Sequence, residues 1–170
     1  MDRPEFSYQV APRQVDSRVH RLEADEAERT ALAKRFGLVA IDRLTAEIAL
    51  ARDGEAVDAA GRLEADIVQS CAVTGDDLPV SISEDLAFRF VPESAGAASE
   101  EELELDAGEL DEIPYAGEMF DLGEAVAQSL ALAIDPYATG PGAEEVRKAA
   151  GLLGEEDAGP FAALKGLKGD

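Results

Sequence analysis

The spacing of apolar residues changes period several times along the chain, and each change marks an element. Phe6, Tyr8 and Val10 alternate with Ser7 and Gln9, which predicts a short strand stopped at Pro12. Asp25 followed three residues later by Glu28 has the capping-box pattern, in which each side chain serves an amide that the first helical turn leaves without a partner. Ala24, Ala27, Ala31, Leu32 and Phe36 then gather toward one side at helical spacing. Lys34 and Arg35 fall in the last turn, where they complement the helix dipole, and Gly37 supplies the stop. The expectation is a helix over 25–36.

From Leu38 the period drops to two. Leu44, Ala46, Ile48 and Leu50 share one face of a strand, with Arg43, Thr45 and Glu47 on the other. Arg52-Asp53-Gly54-Glu55 is turn chemistry, with Asp-Gly the favoured hairpin pair. A second strand runs to Cys71, its Leu63, Ala65 and Ile67 inward and its Arg62, Glu64 and Asp66 outward. Arg43 or Arg52 is placed to pair across this hairpin with Glu64 or Asp66. After a turn at Thr74-Gly75-Asp76-Asp77, Val80 and Ile82 alternate with Ser81 and Ser83. Leu86, Phe88 and Phe90 carry the alternation to Val91, and Pro92 ends it. Residues 38–91 thus read as an antiparallel meander with one buried face, which needs a layer packed on it.

Residues 93–112 change character: nine of the twenty are acidic and none is basic, among Ala, Gly and Ser. Such a segment buries too little apolar area to offset the entropy of ordering it, so it reads as a mobile acidic loop. Leu103, Leu105 and Leu110 are its weak anchors. Ile113-Pro114-Tyr115 restores order. Asp121 and Glu124 repeat the capping-box spacing and open a helix with Leu122, Ala125, Val126, Ser129, Leu130 and Ala133 inward, closed at Asp135-Pro136. Past Tyr137 the chain thins into Gly, Pro, Ala and Glu, with room for a brief helix near 144–150. The pattern predicts an α+β fold: an antiparallel sheet, open or strongly curled, covered by two helices near 25–36 and 122–134. One domain spans 1–137, and a loosely packed tail spans 138–170.

Composition adds a charge argument. Hydrophobic residues make up 46%, aromatics only 5%, so the core rests on Leu, Ile, Val and Ala. Fifteen Lys and Arg against 37 Asp and Glu give a net charge of −22. Residues 61–120 hold 16 of the acidic groups and 2 of the basic ones, which makes the middle third the acidic pole. Nucleic-acid binding recruits Lys and Arg to release counterions from phosphates, so a surface this negative repels a polyanion at long range. Basic proteins are its natural partners, unless the charge serves solubility alone. Only the N-terminal third has cations for a basic patch, and there Arg13, Arg18, Arg21 and Arg43 are the candidate RNA-binding residues. No apolar run approaches the roughly 20 residues of a membrane helix, and Met1 to Glu5 is polar. The expected location is the cytoplasm, away from membranes.

The sequence offers little catalytic chemistry. His20 is the sole histidine and lies in a polar, Arg-flanked stretch, which suits a surface position. Cys71 is the sole cysteine, so no intramolecular disulfide forms, and at a strand end it reads as a small buried hydrophobe. One cysteine and one distant histidine do not make a zinc site. Phosphate-binding glycine loops, dinucleotide fingerprints and nucleophile elbows are missing. The expectation is a non-enzyme without cofactor or metal.

Several segments together carry a family resemblance. Cys71-Ala72-Val73-Thr74-Gly75 leads into Leu78-Pro79-Val80-Ser81-Ile82. After the acidic gap come Phe120-Asp121-Leu122-Gly123-Glu124-Ala125-Val126, Leu130-Ala131-Leu132 and Asp135-Pro136-Tyr137, and the chain closes on Pro160-Phe161-Ala162-Ala163-Leu164-Lys165-Gly166-Leu167. In order and spacing these resemble the YceD family, the large ribosomal RNA subunit accumulation proteins, over about residues 38–170. Some members have Cys-x-x-Cys at the turn where this chain has Cys71-x-x-Thr74, so a metal or redox role built on the paired form does not carry over.

The resemblance implies a part in ribosome assembly, and the charge suggests the mode. One reading is a non-enzymatic factor that binds a basic ribosomal or assembly protein. It would do so through Glu100, Glu101, Glu102 and Glu104, or through Phe161, Leu164 and Leu167, which a turn and a half of helix would align. The alternative is direct recognition of ribosomal RNA by the arginines of the N-terminal third.

Overall fold

A computed structural model describes residues 4–93 and 111–150. The elements in order are β1 (Gln9–Val10), a 3₁₀ turn (Pro12–Gln14), β2 (Val19–Glu23), α1 (Glu26–Phe36), β3 (Ala40–Asp53), β4 (Ala56–Ser70) and β5 (Asp77–Pro92). There follow β6 (Asp111–Tyr115), β7 (Phe120–Asp121), α2 (Leu122–Ala133) and α3 (Ala143–Ala149). By contact density the chain divides into one unit of 1–69 with 79–135 and a second of 70–78 with 136–170.

The fold is α+β, with a five-stranded sheet in the order β2-β3-β4-β5-β6 and a two-stranded ribbon of β1 and β7. The sheet is open, with β2 and β6 at its edges, so it neither closes nor curls strongly. The β2–β3 and β3–β4 pairs are antiparallel, and the β5–β6 pair is parallel. Antiparallel order throughout was the expectation. The eighteen residues between β5 and β6 are long enough for the crossover that a parallel pair requires, which a tight turn is not.

The alternation in β3 and β4 forms as predicted, with two refinements. Asp53 pairs with Ala56, so the two-residue loop is Gly54-Glu55 rather than Asp-Gly, and Gly54 takes the positive φ of 65° that a type II′ turn needs at its first position. The register slips between Ile41 and Arg43, leaving Asp42 as a bulge. That extra residue switches the phase, which is why Ile41 and Leu44 both face the core.

Two N-terminal features differ from the sequence pattern. β2 has a single buried apolar side chain, Leu22, so its alternation is too short to read. At the other end, pairing in β1 covers two residues only, and Tyr8 is 39% exposed rather than inward. The backbone of Tyr8 is already engaged by the start of α2: its carbonyl accepts from the Leu122 amide at 2.9 Å, and its own amide donates to Asp121 Oδ1 at 2.9 Å.

Both helices of the first unit feed one core with the inner face of the sheet. α1 is capped as predicted, by reciprocal bonds of 2.8 Å between Asp25 and Glu28, and ends on left-handed Gly37. It buries Leu32 and Ala33, whereas Ala27 is exposed; a run of alanines gives the helix too weak a stripe to fix its rotation. α2 buries Leu122, Ala125, Val126, Ala127 and Leu130, while Ser129 and Ala133 are half-buried. Phe120, just before it, stacks on Phe90 of β5 at 4.3 Å. Asp121 caps α2 by accepting from the Glu124 amide at 3.1 Å, but the box is incomplete because the Glu124 carboxylate is held elsewhere.

Its partner is Arg35 of α1, which reaches Glu124 with two bonds of 2.8 and 3.1 Å and Glu5 with one of 3.1 Å. Hydrogen bonding from Arg35 holds the Glu124 carboxyl below its ordinary value, against a smaller opposing effect of burial. In the second unit, the described residues are the 70–78 turn and 136–150, joined by a bond from the Ala72 amide to the Ala138 carbonyl at 3.0 Å.

Two glycines mark close backbone approaches. A Cβ on Gly61 would strike the Glu47 carbonyl and lie 2.8 Å from Ile48 Cα, and one on Gly123 would lie 2.7 Å from the Tyr8 amide nitrogen. Gly61→Ala should therefore force β3 and β4 apart and lower stability by about 2–3 kcal/mol, read as a shifted denaturant midpoint. Arg35→Met should cost about 1 kcal/mol at neutral pH. A depressed carboxyl stabilises the fold above its unfolded value, so the gap between parent and variant should shrink as pH falls below about 4.5, in unfolding curves recorded across that range.

Candidate functional site

The outer face of the sheet is a lattice of ion pairs between neighbouring strands. Arg43 of β3 reaches Asp66 at 2.9 Å and Glu64 at 3.3 Å, both on β4, and Ser81 of β5 donates to Asp66 at 2.8 Å. The hydrogen bond from Arg43, then that from Ser81, holds Asp66 below the usual carboxylate range. A second row crosses four strands. Arg21 lies 3.8 Å from Glu47, Glu47 faces Arg62 in register, and Arg62 reaches Asp85 at 3.1 Å. Arg89 bridges Asp53 and Asp58 at 2.8 Å each. Exposed pairs of this kind add little stability, but each removes a cation from the set that can meet an outside anion.

This accounts for most of the arginines named as RNA-binding candidates. Arg21 and Arg43 stand in the two rows just described, and Arg18 is held by Asp16 at 2.6 Å. Arg13 is exposed and makes no ion pair among the described residues. The cross-strand pairing foreseen for Arg43 or Arg52 belongs to Arg43. Arg52 lies opposite Val57 at the hairpin end, out of reach of Glu64 and Asp66, and donates instead to the Gly54 carbonyl at 2.8 Å.

The candidate partner-binding residues Glu100, Glu101, Glu102, Glu104, Phe161, Leu164 and Leu167 lie outside the described residues. The residues that border the acidic segment are described. Glu93, Asp111 and Glu112 are exposed and make no ion pair among the described residues; Glu112 stands opposite Arg89 in the ladder, but the guanidinium engages Asp53 and Asp58 instead.

His20 is not the surface residue its polar neighbours suggested. Its side chain is only 16% exposed, and its ring meets the Tyr8 ring edge-on with centroids 6.0 Å apart. Nδ1 lies 3.5 Å from the Tyr8 hydroxyl, and Nε2 lies 3.8 Å from Asp16. The signal that was missed is the strand β2, which tilts alternate residues of a polar stretch toward the protein.

Cys71 also departs from the reading as a mere apolar filler. It is 4% exposed, but its sulfur accepts from the Gly140 amide at 3.3 Å. The turn is tight: the Cys71 amide donates to the Asp76 carbonyl at 2.7 Å, and the Gly75 amide to the Cys71 carbonyl at 2.9 Å. Gly75 supports this with a φ of 73°. The Thr74 hydroxyl, then the amides of Gly140, Thr74 and Val73, stabilise a thiolate and bring Cys71 from 9.0 down to about 6, despite an opposing effect of burial. Val73 and Thr74 belong to the sequence motif; Gly140 lies 69 residues away and is brought in by the fold.

Among the described residues, His, Cys, Asp and Glu form no group of three placed to hold a metal ion. No described helix is long and apolar enough to cross a membrane. A family model, Large ribosomal RNA subunit accumulation protein YceD, matches residues 59–168. The chain belongs to this family. The match begins inside β4 and takes in the Cys71 turn, β5 to β7, α2 and α3, while α1 and the strands up to β3 precede it. No curated protein and no solved structure matches the chain.

The Cys71 turn makes a measurable claim. Thr74→Val should raise the thiol from about 6 toward 9.0, followed by the ultraviolet absorbance of the thiolate during a pH titration. A thiol depressed on folding adds stability that is complete above its unfolded value and lost as pH falls through the folded one. Unfolding free energy should therefore rise between pH 6 and 9, and Cys71→Ser should remove that rise.

Proposed function

We propose that this protein supports accumulation of large-subunit ribosomal RNA as a non-enzymatic assembly factor in the cytoplasm, by holding a basic ribosomal or assembly protein. The family description supports the biological role. The mode rests chiefly on one observation: arginines of the outer sheet face are engaged by carboxylates of the same chain, while the carboxylates at the β6 edge are not. A protein so arranged meets a partner with negative charge to spare and few cations free. The run Glu100, Glu101, Glu102 and Glu104 lies in the connection between β5 and β6 and extends the same acidic region in sequence.

This arrangement favours a protein partner over RNA held by Arg13, Arg18, Arg21 and Arg43, because three of those four would first have to leave a carboxylate. Capture of the tagged protein from host extract, with and without nuclease, distinguishes the two. Basic ribosomal proteins should persist after digestion. Replacing Glu100, Glu101, Glu102 and Glu104 with glutamine should weaken that capture and flatten its salt dependence. Recovery of precursor ribosomal RNA with all proteins lost on digestion would overturn the proposal.

A further inference from the structure

We propose that a cavity beside the β3–β4 hairpin is a binding site for a single nucleotide, held by Arg13 and Arg52. The cavity has a volume of about 370 Å³. Protein cavities for small ligands run from roughly 300 to 1,000 Å³, so this one suits a compact molecule. Arg13, from the turn after β1, and Arg52, from the end of β3, both line it. Pro12 and Tyr115 supply flat apolar surface, and Glu55 and Glu118 stand on its walls.

Most arginines among the described residues are engaged by carboxylates of the same chain. With 37 acidic residues present, Arg18, Arg21, Arg35, Arg43, Arg62 and Arg89 each have a carboxylate partner. Arg13, Arg29, Arg52 and Arg147 make no ion pair among the described residues, and of these Arg13 and Arg52 share a cavity, which Glu55 and Glu118 also line. Arg52 is fixed by the bond from Nε to the Gly54 carbonyl, and its two terminal nitrogens make no hydrogen bond among the described residues. Two guanidinium groups that line one cavity, neither paired with the carboxylates that line it too, match the oxygens of a phosphate, which accepts paired N–H donors.

The remaining groups specify what the phosphate is attached to. The Tyr115 ring is backed by Phe120 at 5.9 Å, and its hydroxyl is tied to the Glu55 carbonyl at 2.8 Å, so it is a braced platform for a planar ring. Carboxylates at Glu55 and Glu118 accept from hydroxyl or amino groups. A nucleotide offers all three features: an anionic phosphate, a flat base, and sugar or base donors. The cavity shares Tyr115 with β6, but Glu93, Asp111 and Glu112 do not line it, so loss of nucleotide binding and loss of a basic partner are separate outcomes.

A free nucleotide and one nucleotide of a single-stranded RNA share this chemistry, and the test separates them. The full chain is titrated by calorimetry with adenosine and uridine 5′-monophosphates, inorganic phosphate and a short single-stranded oligoribonucleotide. Saturable binding of a monophosphate, roughly tenfold or more weaker with phosphate alone and similarly weakened in R13Q/R52Q, is the expected result and identifies a free nucleotide. Binding of the oligonucleotide alone, with the same loss in R13Q/R52Q, also supports the site and identifies a strand. Both arginines are exposed, so the double variant should unfold at the parent's denaturant midpoint. Phosphate binding as tight as the nucleotides, binding unchanged in R13Q/R52Q, or no binding would overturn the proposal.

Discussion

Three long strands share one apolar face, and keeping that face from water is the constraint on which the rest of the structure depends. Ile48 and Leu50 of β3, Val57, Leu63 and Ile67 of β4, and Leu86 and Phe90 of β5 are all buried. With few aromatic side chains to thicken the core, the cover must come close. Gly61 lets β3 and β4 approach, and Gly123 lets the start of α2 press on the backbone of the N-terminal segment. Asp121 secures that cover by accepting from Ser7, from the Tyr8 amide and from the α2 amide of Glu124, so one carboxylate serves a helix cap and a tertiary tie together.

The opposite face of the sheet meets a different requirement. It must stay polar in a chain of net charge −22, and it does so by setting arginines of one strand against carboxylates of the next. Net charge says that acid is in excess; the ladder register decides where the excess stands. Four arginines are matched to carboxylates across the sheet, and Glu93, Asp111 and Glu112 beside β6 are among the carboxylates left without an ion pair among the described residues. The electrostatic reading of the surface therefore comes from strand pairing more than from composition.

The Cys71 turn shows how a tight loop can alter the chemistry of a buried side chain. The Thr74 hydroxyl joins backbone amides in stabilising a thiolate on Cys71. A lone cysteine at a strand end was legible as buried. The donors around its sulfur were not, because amides are invisible in sequence and Gly140 is remote.

The sequence by itself determined the local elements: the capped helix ended by Gly37, the alternation of β3 and β4, the Pro92 stop and the helix opened by Asp121. Each is set by neighbouring residues, through caps, period and turn chemistry. It also carried the acidic pole and the family. Only the tertiary structure decided what depends on residues far apart: the parallel return of β6, the open sheet edges, the strand β2 with its one buried leucine, and the rotation of α1. The sites divide in the same way. Arg13 and Arg52 are 39 positions apart and gain meaning only from the cavity they share, since distance along a chain says nothing about which charges remain unpaired after folding.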